Sequence, residues 1–557
     1  MKASALPTAA LACAFFTVAC ILAGNGDLIV ALTPVLILGF LYATWKLPLR
    51  WPLLVTTFLA LTLENPSELP ACGQWKSPFY EVGAALLVHL NVTLRHKSLV
   101  FSGLDVIFAY LFAVTAARYW TRSPIDGSDG AESAGPIGRF AALSLAGAAW
   151  MWVYGVARGD ADVDSSFWQV QRVAYLPLLV FLFQRALRRP GDAAALGKVI
   201  VAAACLKASL AVYIRATVPP PPGEIASYYA TTHADSMLFA VAFCSVLALV
   251  VHRRGKKSLP FVAGVLPLLV AGMVANGRRL AWVELGAGVA TVMALTPWSS
   301  AKRTAVRALV AGSPVLFAYA VAGWSSSSAL FQPVHLLRSV VDSKADPSTM
   351  WRDLENYDLF YTLRHHPVLG TGYGHGYVEL VSLPDVSSSY ALYRFLPHNS
   401  ILGLWAYGGL VGFTMLWTML VVGFFLAARA YRYAVTVEDR TIALTAVSLL
   451  VVYLVYCYGD LGLGTWTSVF TVAPALAIAS KLAVTTGAWP STVPSQSRIH
   501  EHDEKQVADV ENAHPKKGLL EPTDGVRIAG SPERDQDVDE ENGDQDEFRH
   551  RQRPALG

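Results

Sequence analysis

Three groups of residues in this 557-residue chain could do chemistry. Pro397-His398-Asn399-Ser400 stands at the mouth of a long apolar segment, directly after the polar stretch 325–397. Histidine titrates near neutral pH, so at a membrane face it can take the proton of a hydroxyl. Asn276-Gly277-Arg278-Arg279-Leu280-Ala281-Trp282 sets two adjacent arginines at the end of another apolar run. A guanidinium stays charged and grips phosphate through a planar fork, although snorkelling to lipid headgroups is its plainer use. Between them lies Met350-Trp351-Arg352-Asp353-Leu354-Glu355-Asn356-Tyr357-Asp358, followed by His365-His366-Pro367-Val368-Leu369-Gly370-Thr371-Gly372-Tyr373-Gly374. The first part reads as a short amphipathic helix with Leu354, Tyr357, Phe360 and Tyr361 on one side, and the glycines end it in a turn. Trp351, Tyr357, Tyr361 and Tyr373 offer faces for stacking on sugars, which interfacial aromatics also present simply as membrane anchors.

Such side chains need elements to hold them, and nearly everything else in the chain is made for lipid. Hydrophobic residues are 54% and charged residues 15% of the sequence, with a mean hydropathy of +0.41. These values exclude an ordinary water-soluble protein. A bilayer core takes roughly 20 apolar residues per helix. The apolar runs therefore predict spans near 8–24, 27–45, 50–64, 98–118, 138–157, 167–187, 195–215, 233–252, 259–275, 279–297, 304–324, 399–428, 440–459 and 463–482. The fold class is all-α: a polytopic integral membrane protein with about 12–14 transmembrane helices and one large external loop. The stretch from Glu81 to Leu94 fits an interfacial helix as well as a span.

Lysine and arginine bias orients the spans. The clusters Lys46–Arg50, Arg185–Lys198, Arg253–Lys257, Lys302–Arg307 and Arg429–Arg432 fall on alternate connections, expected to be cytoplasmic together with both termini. The Arg278-Arg279 pair, the acidic connection Asp160–Asp164 and the stretch Ser325–Pro397 are then outside, with Arg95-His96-Lys97 the outward exception. The organisation reads as N-terminal spans (1–230), spans with the arginine motif (231–324), the large loop (325–398), C-terminal spans (399–486) and an acidic cytoplasmic tail (487–557). Arg498 to Gly557 holds 16 acidic and 9 basic residues, net −7, against +3 for the whole chain, so the body is basic. That tail has the composition of disorder. The first apolar run is expected to be a transmembrane helix and not a cleaved signal peptide. Of six cysteines only Cys72 falls outside predicted spans, and no metal-ligand spacing occurs, so no metal or other cofactor is expected. No nucleotide-binding motif and no sign of a nucleic-acid partner is present.

The span opened by Arg279 and the one opened by His398 both start outside, so two positive helix ends and an arginine make an anion site. Asn399 and Ser400 are candidate N-caps there. Glu284, inside the span that Arg279 opens, is a further intramembrane ionisable group. An outward arginine before Ala281-Trp282, a long loop with Arg352 and Pro367-Val368-Leu369-Gly370-Thr371-Gly372-Tyr373-Gly374, and then Pro397-His398-Asn399-Ser400 followed by Tyr407-Gly408-Gly409-Leu410-Val411-Gly412 together resemble the bacterial O-antigen ligase and O-antigen polymerase superfamily. The resemblance covers about residues 230–430 in order; the tail is not part of it.

The resemblance implies a GT-C-like, metal-independent glycosyltransferase of the bacterial cytoplasmic (inner) membrane. Its donor is an undecaprenyl-diphosphate-linked glycan, its acceptor a lipid or another glycan, and other polysaccharide-assembly proteins are expected partners. Carried over by position, Arg279 and Arg352 match the family arginines, and His398 the essential histidine. Arg278 stands where a small polar residue is common, so either arginine of the pair can be the phosphate ligand. Asp353, Glu355, Tyr357, Tyr361, Tyr373, Arg364 and Arg394 are candidates for holding acceptor or glycan, and Arg338, Arg364 and Arg394 for a second diphosphate. No carboxylate pair suits glycoside hydrolysis. A transporter of a lipid-linked glycan would share the many spans, but neither inverted repeats nor broken midplane helices stand out.

Overall fold

The computed structural model describes residues 28–64, 80–88, 101–121, 135–218 (except 190), 230–252, 259–326, 347–383 and 392–490, with isolated positions elsewhere. The regular elements among the described residues are helices, with no β-strand. In chain order the helices are α1 (Leu28–Lys46), α2 (Arg50–Thr62), α3 (Tyr80–Leu87), α4 (Gly103–Trp120), α5 (Ile137–Ala157), α6 (Val163–Ala186), α7 (Asp192–Thr217) and α8 (His233–His252). There follow α9 (Leu259–Asn276), α10 (Leu280–Leu295), α11 (Ser300–Gly323), α12 (Pro347–His365), α13 (Ser400–Tyr433), α14 (Val437–Gly459) and α15 (Trp466–Thr485). Many start where a short polar side chain takes up a free backbone N–H. Ser102 and Asp105 form a reciprocal capping box at α4, and Asp162, Ser299 and Thr436 cap α6, α11 and α14.

Among the described residues, eight helices are long and apolar enough to cross a membrane: α5, α6, α7, α8, most of α11, α13, α14 and α15. Val35–Lys46, Pro260–Asn276 and Leu280–Leu295 are shorter apolar helices. The protein is an all-α polytopic membrane protein. The remaining predicted segments differ for physical reasons. α2 is only 13 residues long. α4 carries Asp105 and Arg118, both buried, and Arg118 donates to the carbonyls of Thr44 and Leu47 at the end of α1 at 2.6 and 2.8 Å. Most of the expected span 8–24, the Arg95-His96-Lys97 exception and the acidic tail from 491 lie outside the described residues.

Contacts between distant segments sort the described connections onto two faces. On one, Asp162 N–H donates to the Gly374 carbonyl at 2.8 Å, Arg278 meets His233, and the Ser400 hydroxyl donates to the Asp460 carbonyl at 2.9 Å. On the other, Arg50 pairs with Asp192 at 3.2 Å, Lys481 donates to the Leu187 carbonyl at 3.3 Å, and Tyr431 meets His252 at 3.4 Å. Of the predicted basic connections, those at Arg50, at Leu187–Asp192 and at Tyr431 fall on the second face; Arg253–Lys257 lies outside the described residues, and Arg278 and Asp460 are on the first face.

Within lipid there is little hydrophobic drive between helices, so close packing and polar contacts hold the bundle. A Cβ on Gly272 of α9 would sit 2.6 Å from the Ala208 Cβ of α7, and one on Gly288 of α10 would sit 2.5 Å from Cys244 Sγ of α8. The helices touch at those crossings because glycine lets them. Lys207 of α7 and Asp235 of α8 form a buried ion pair at 3.4 Å, with side chains 3% and 1% exposed. Removing one member strands the other charge, at about 3–5 kcal/mol. Asp235→Leu is therefore expected to lower the melting temperature of the detergent-solubilised protein, and adding Lys207→Met to recover most of the loss.

Candidate active site

The site is built around a deliberate break in a helix. α13 is interrupted at Gly409, whose φ of 56° and ψ of −161° are not helical. A break inside a span frees backbone groups that lipid cannot satisfy. The loop after α12 takes them up: Leu410 and Val411 N–H donate to the carbonyls of Pro367 and Val368 at 2.9 and 3.1 Å. In return Thr371 and Gly372 N–H donate to the carbonyls of Ala406 and Tyr407 at 3.1 and 2.9 Å. The other side of the loop seats on α5 and α6. Tyr373 N–H donates to the Met151 carbonyl at 3.0 Å, and Gln169 accepts Gly374 N–H at 2.7 Å while donating to the Phe395 carbonyl at 2.8 Å. Gly370 is left-handed, with φ of 71°, and a Cβ there would lie 2.2 Å from the Tyr407 carbonyl oxygen. The glycine turn expected from sequence is thus the strap over a helix break.

His398 is held by α12 and by the start of α13. The Glu355 carboxylate, fully buried, accepts His398 backbone N–H at 3.1 Å and lies 3.4 Å from its Nδ1. Trp351 packs edge-to-face on the imidazole with centroids 5.0 Å apart. Asn399 is the N-cap of α13, accepting Leu402 N–H at 3.1 Å, and donates to Asn356 of α12 at 3.0 Å. Ser400 is not a cap; its hydroxyl reaches the Asp460 carbonyl.

Asp460, the residue after α14, is the electrostatic centre. Its carboxylate lies 3.0 Å from His233 Nδ1 at the start of α8, and the other side of that ring meets the Arg278 guanidinium. Burial opposes ionisation of Asp460, but His233, Arg352 and His398 around it hold its carboxyl well below the usual carboxylate range. Asn276 fixes this corner: it accepts Thr231 N–H at 2.8 Å and donates to the Thr232 carbonyl and the Ser236 hydroxyl at 3.0 and 2.8 Å. Glu284 is fully buried nearby, and neither of its carboxyl oxygens has a hydrogen-bond partner.

Of the residues singled out in the sequence, Arg278, Arg352, His398 and Glu355 come together here. Arg279 is half-buried at the N-cap position of α10. Asp353, Tyr357 and Arg364 are exposed along α12, and Tyr361 packs on His365. Tyr373 is buried and lines an apolar cavity with Arg172, Ser400 and Tyr407, so it offers no open stacking face. Arg394 is tied to Glu379 by two bonds of 2.9 and 2.8 Å, which raises its pKa further. Sequence reasoning passed over His233, Asp460 and Gln169. For His233 and Asp460 the available signal was an ionisable residue at the end of an apolar run. Among the described residues, no group of three His, Cys, Asp or Glu side chains has a metal-binding arrangement.

Residues 264–417 match a family model described as O-antigen ligase. That segment contains Arg278, Arg279, Arg352 and His398 and leaves His233 and Asp460 outside it. No curated protein matches the chain significantly.

Proposed function

We propose, from the match of residues 264–417 to a family model described as O-antigen ligase, that this chain belongs to the O-antigen ligase/polymerase superfamily and is a membrane glycosyltransferase. It transfers or polymerises a polyprenyl-diphosphate-linked glycan at the outer face of the cytoplasmic membrane during surface polysaccharide synthesis. The observation that carries the reading is the gathering of His398, Arg352 and His233 around the buried carboxylate of Asp460 on one face of the bundle, with Arg278 on the far side of His233.

The acceptor hydroxyl attacks the anomeric carbon, the bond from that carbon to the diphosphate oxygen breaks, and polyprenyl diphosphate leaves with the electron pair. Arg352 and Arg279 offset the charge that develops on the leaving group, without a metal. Arg278, turned inward onto His233, supports the field more than it grips phosphate. His398 takes the hydroxyl proton, and a single displacement inverts the anomeric centre. Asp353, Tyr357, Tyr361 and Arg364, on the outer part of α12, are the groups left to meet acceptor or glycan.

The test is the size and anchoring of surface glycan in a deletion strain complemented with wild type or His398→Ala. His398→Ala is expected to lower product formation by at least about 10²-fold, with normal membrane insertion. Single repeats left on carrier or acceptor would identify a polymerase, and full-length polymer stranded on polyprenyl diphosphate a ligase. Normal glycan from His398→Ala would sink the assignment, as would substrate trapped on the cytoplasmic side with synthesis otherwise intact.

A further inference from the structure

We propose that Glu355 is a positioning residue for His398, holding the imidazole in the tautomer that makes Nε2 the basic nitrogen. The inference rests on the reading of His398 as the base. Glu355 is the only group in the acceptor-binding set read from the sequence whose side chain is entirely enclosed against the histidine, and a carboxylate with no exposed surface cannot touch a sugar. Its two oxygens divide the work. Oε2 accepts the His398 backbone N–H at 3.1 Å, and Oε1 lies 3.4 Å from Nδ1, close enough to accept Nδ1–H and to shorten when substrate binds.

A neutral imidazole carries one N–H. With the proton on Nδ1 and directed at Glu355, the lone pair is on Nε2. When Nε2 takes the acceptor's proton the ring becomes a cation, and the adjacent carboxylate stabilises it without itself being protonated. The Trp351 ring, edge-on at 5.0 Å, limits rotation of the imidazole, and Asn356–Asn399 at 3.0 Å holds α12 and α13 in register beside it. The charged groups that act around this point are Glu355 and Arg352 from α12 and Asp460 from the connection after α14.

The test uses purified full-length protein in nanodiscs and, as substrate, a lipid extract of a deletion strain that has accumulated polyprenyl-diphosphate-linked glycan together with acceptor. Release of polyprenyl diphosphate is followed as the extract is increased. Glu355→Gln keeps an acceptor for the backbone N–H but no longer enforces the tautomer. It is expected to lower the maximal rate by about 10²- to 10⁴-fold with half-saturation unchanged, and to cause no further loss on a His398→Ala background. Glu355→Asp, with the carboxylate one methylene short, should retain at least tenfold more rate than Glu355→Gln. If Glu355→Gln does not fold, Glu355→Asp alone carries the test through a lowered maximal rate at unchanged half-saturation. A variant that reaches the wild-type maximal rate but needs more extract would overturn the proposal in favour of acceptor binding. So would losses that multiply with His398→Ala. A fully active His398→Ala, in which Glu355 is intact, would overturn the base assignment itself and is thereby told apart.

Discussion

Gly409→Val is expected to abolish transfer and to destabilise the protein by more than about 4 kcal/mol, the range reserved for the most damaging substitutions. Gly409 has a φ of 56°, and a β-branched side chain strongly resists that region. The steric conflict is larger still, because a Cβ there would lie 2.4 Å from Gly370 N and from the Val368 carbonyl group. All of these are backbone atoms, which cannot rotate away. Making room requires the strap to lift, and lifting it opens the four hydrogen bonds that close the break in α13. Those groups would then have to be satisfied inside a membrane span. The measurement is thermal unfolding of the detergent-solubilised protein together with polyprenyl diphosphate release. Gly286→Ala in α10, where an added Cβ meets nothing within 4 Å, is the control and should melt like wild type. A Gly409→Val protein that melts and turns over normally would mean that the strap is not needed.

Asp460→Asn carries the second large effect. The substitution keeps size and removes one negative charge from a point ringed by His233, Arg352 and His398, with Arg278 behind His233. Losing the anionic member of a buried charge cluster costs about 3–5 kcal/mol, because the remaining charges stay desolvated. At about 1.4 kcal/mol per factor of ten, the same figure predicts a fall in transfer rate on the order of 10²- to 10⁴-fold if the loss is felt in the transition state. His233 would lose its carboxylate partner at 3.0 Å, and Arg278 the support that His233 provides. Thermal unfolding and the rate of polyprenyl diphosphate release should therefore fall together. A wild-type rate with an unchanged melting temperature would remove Asp460 from the site.

The two effects reach the same chemistry by different routes. Gly409 acts through the backbone, by allowing the strap to fold across α13. Asp460 acts through charge, by gathering cations at one face. Between them sits α12, which presents Arg352 towards Asp460, Glu355 towards His398, and exposed Asp353, Tyr357 and Arg364 away from the bundle. One amphipathic helix thus carries both the inward-facing pair and the outward-facing groups.

Local patterns in the chain were enough to reveal the apolar helices and the cap at the start of α13. An apolar run of about 20 residues has few choices other than a span, and alternation of basic connections sorts the two faces without knowledge of packing. Asn399 as a cap followed from side-chain chemistry at a helix start. The partnerships were not legible in this way. Glu355 reads as one acidic residue among several on an exposed helix, and Tyr373 as an aromatic ready for a sugar; folding buries the first under a histidine 43 residues away and the second beneath the strap. His233 and Asp460 stand at the ends of α8 and α14, far apart in the chain, and the glycines of 370–374 look like any turn until Gly409 breaks α13 beside them. Hydropathy reports whether a segment enters lipid but not how each helix is rotated about its own axis. That rotation, set by close contacts such as Gly288 against Cys244, determines which polar side chains meet.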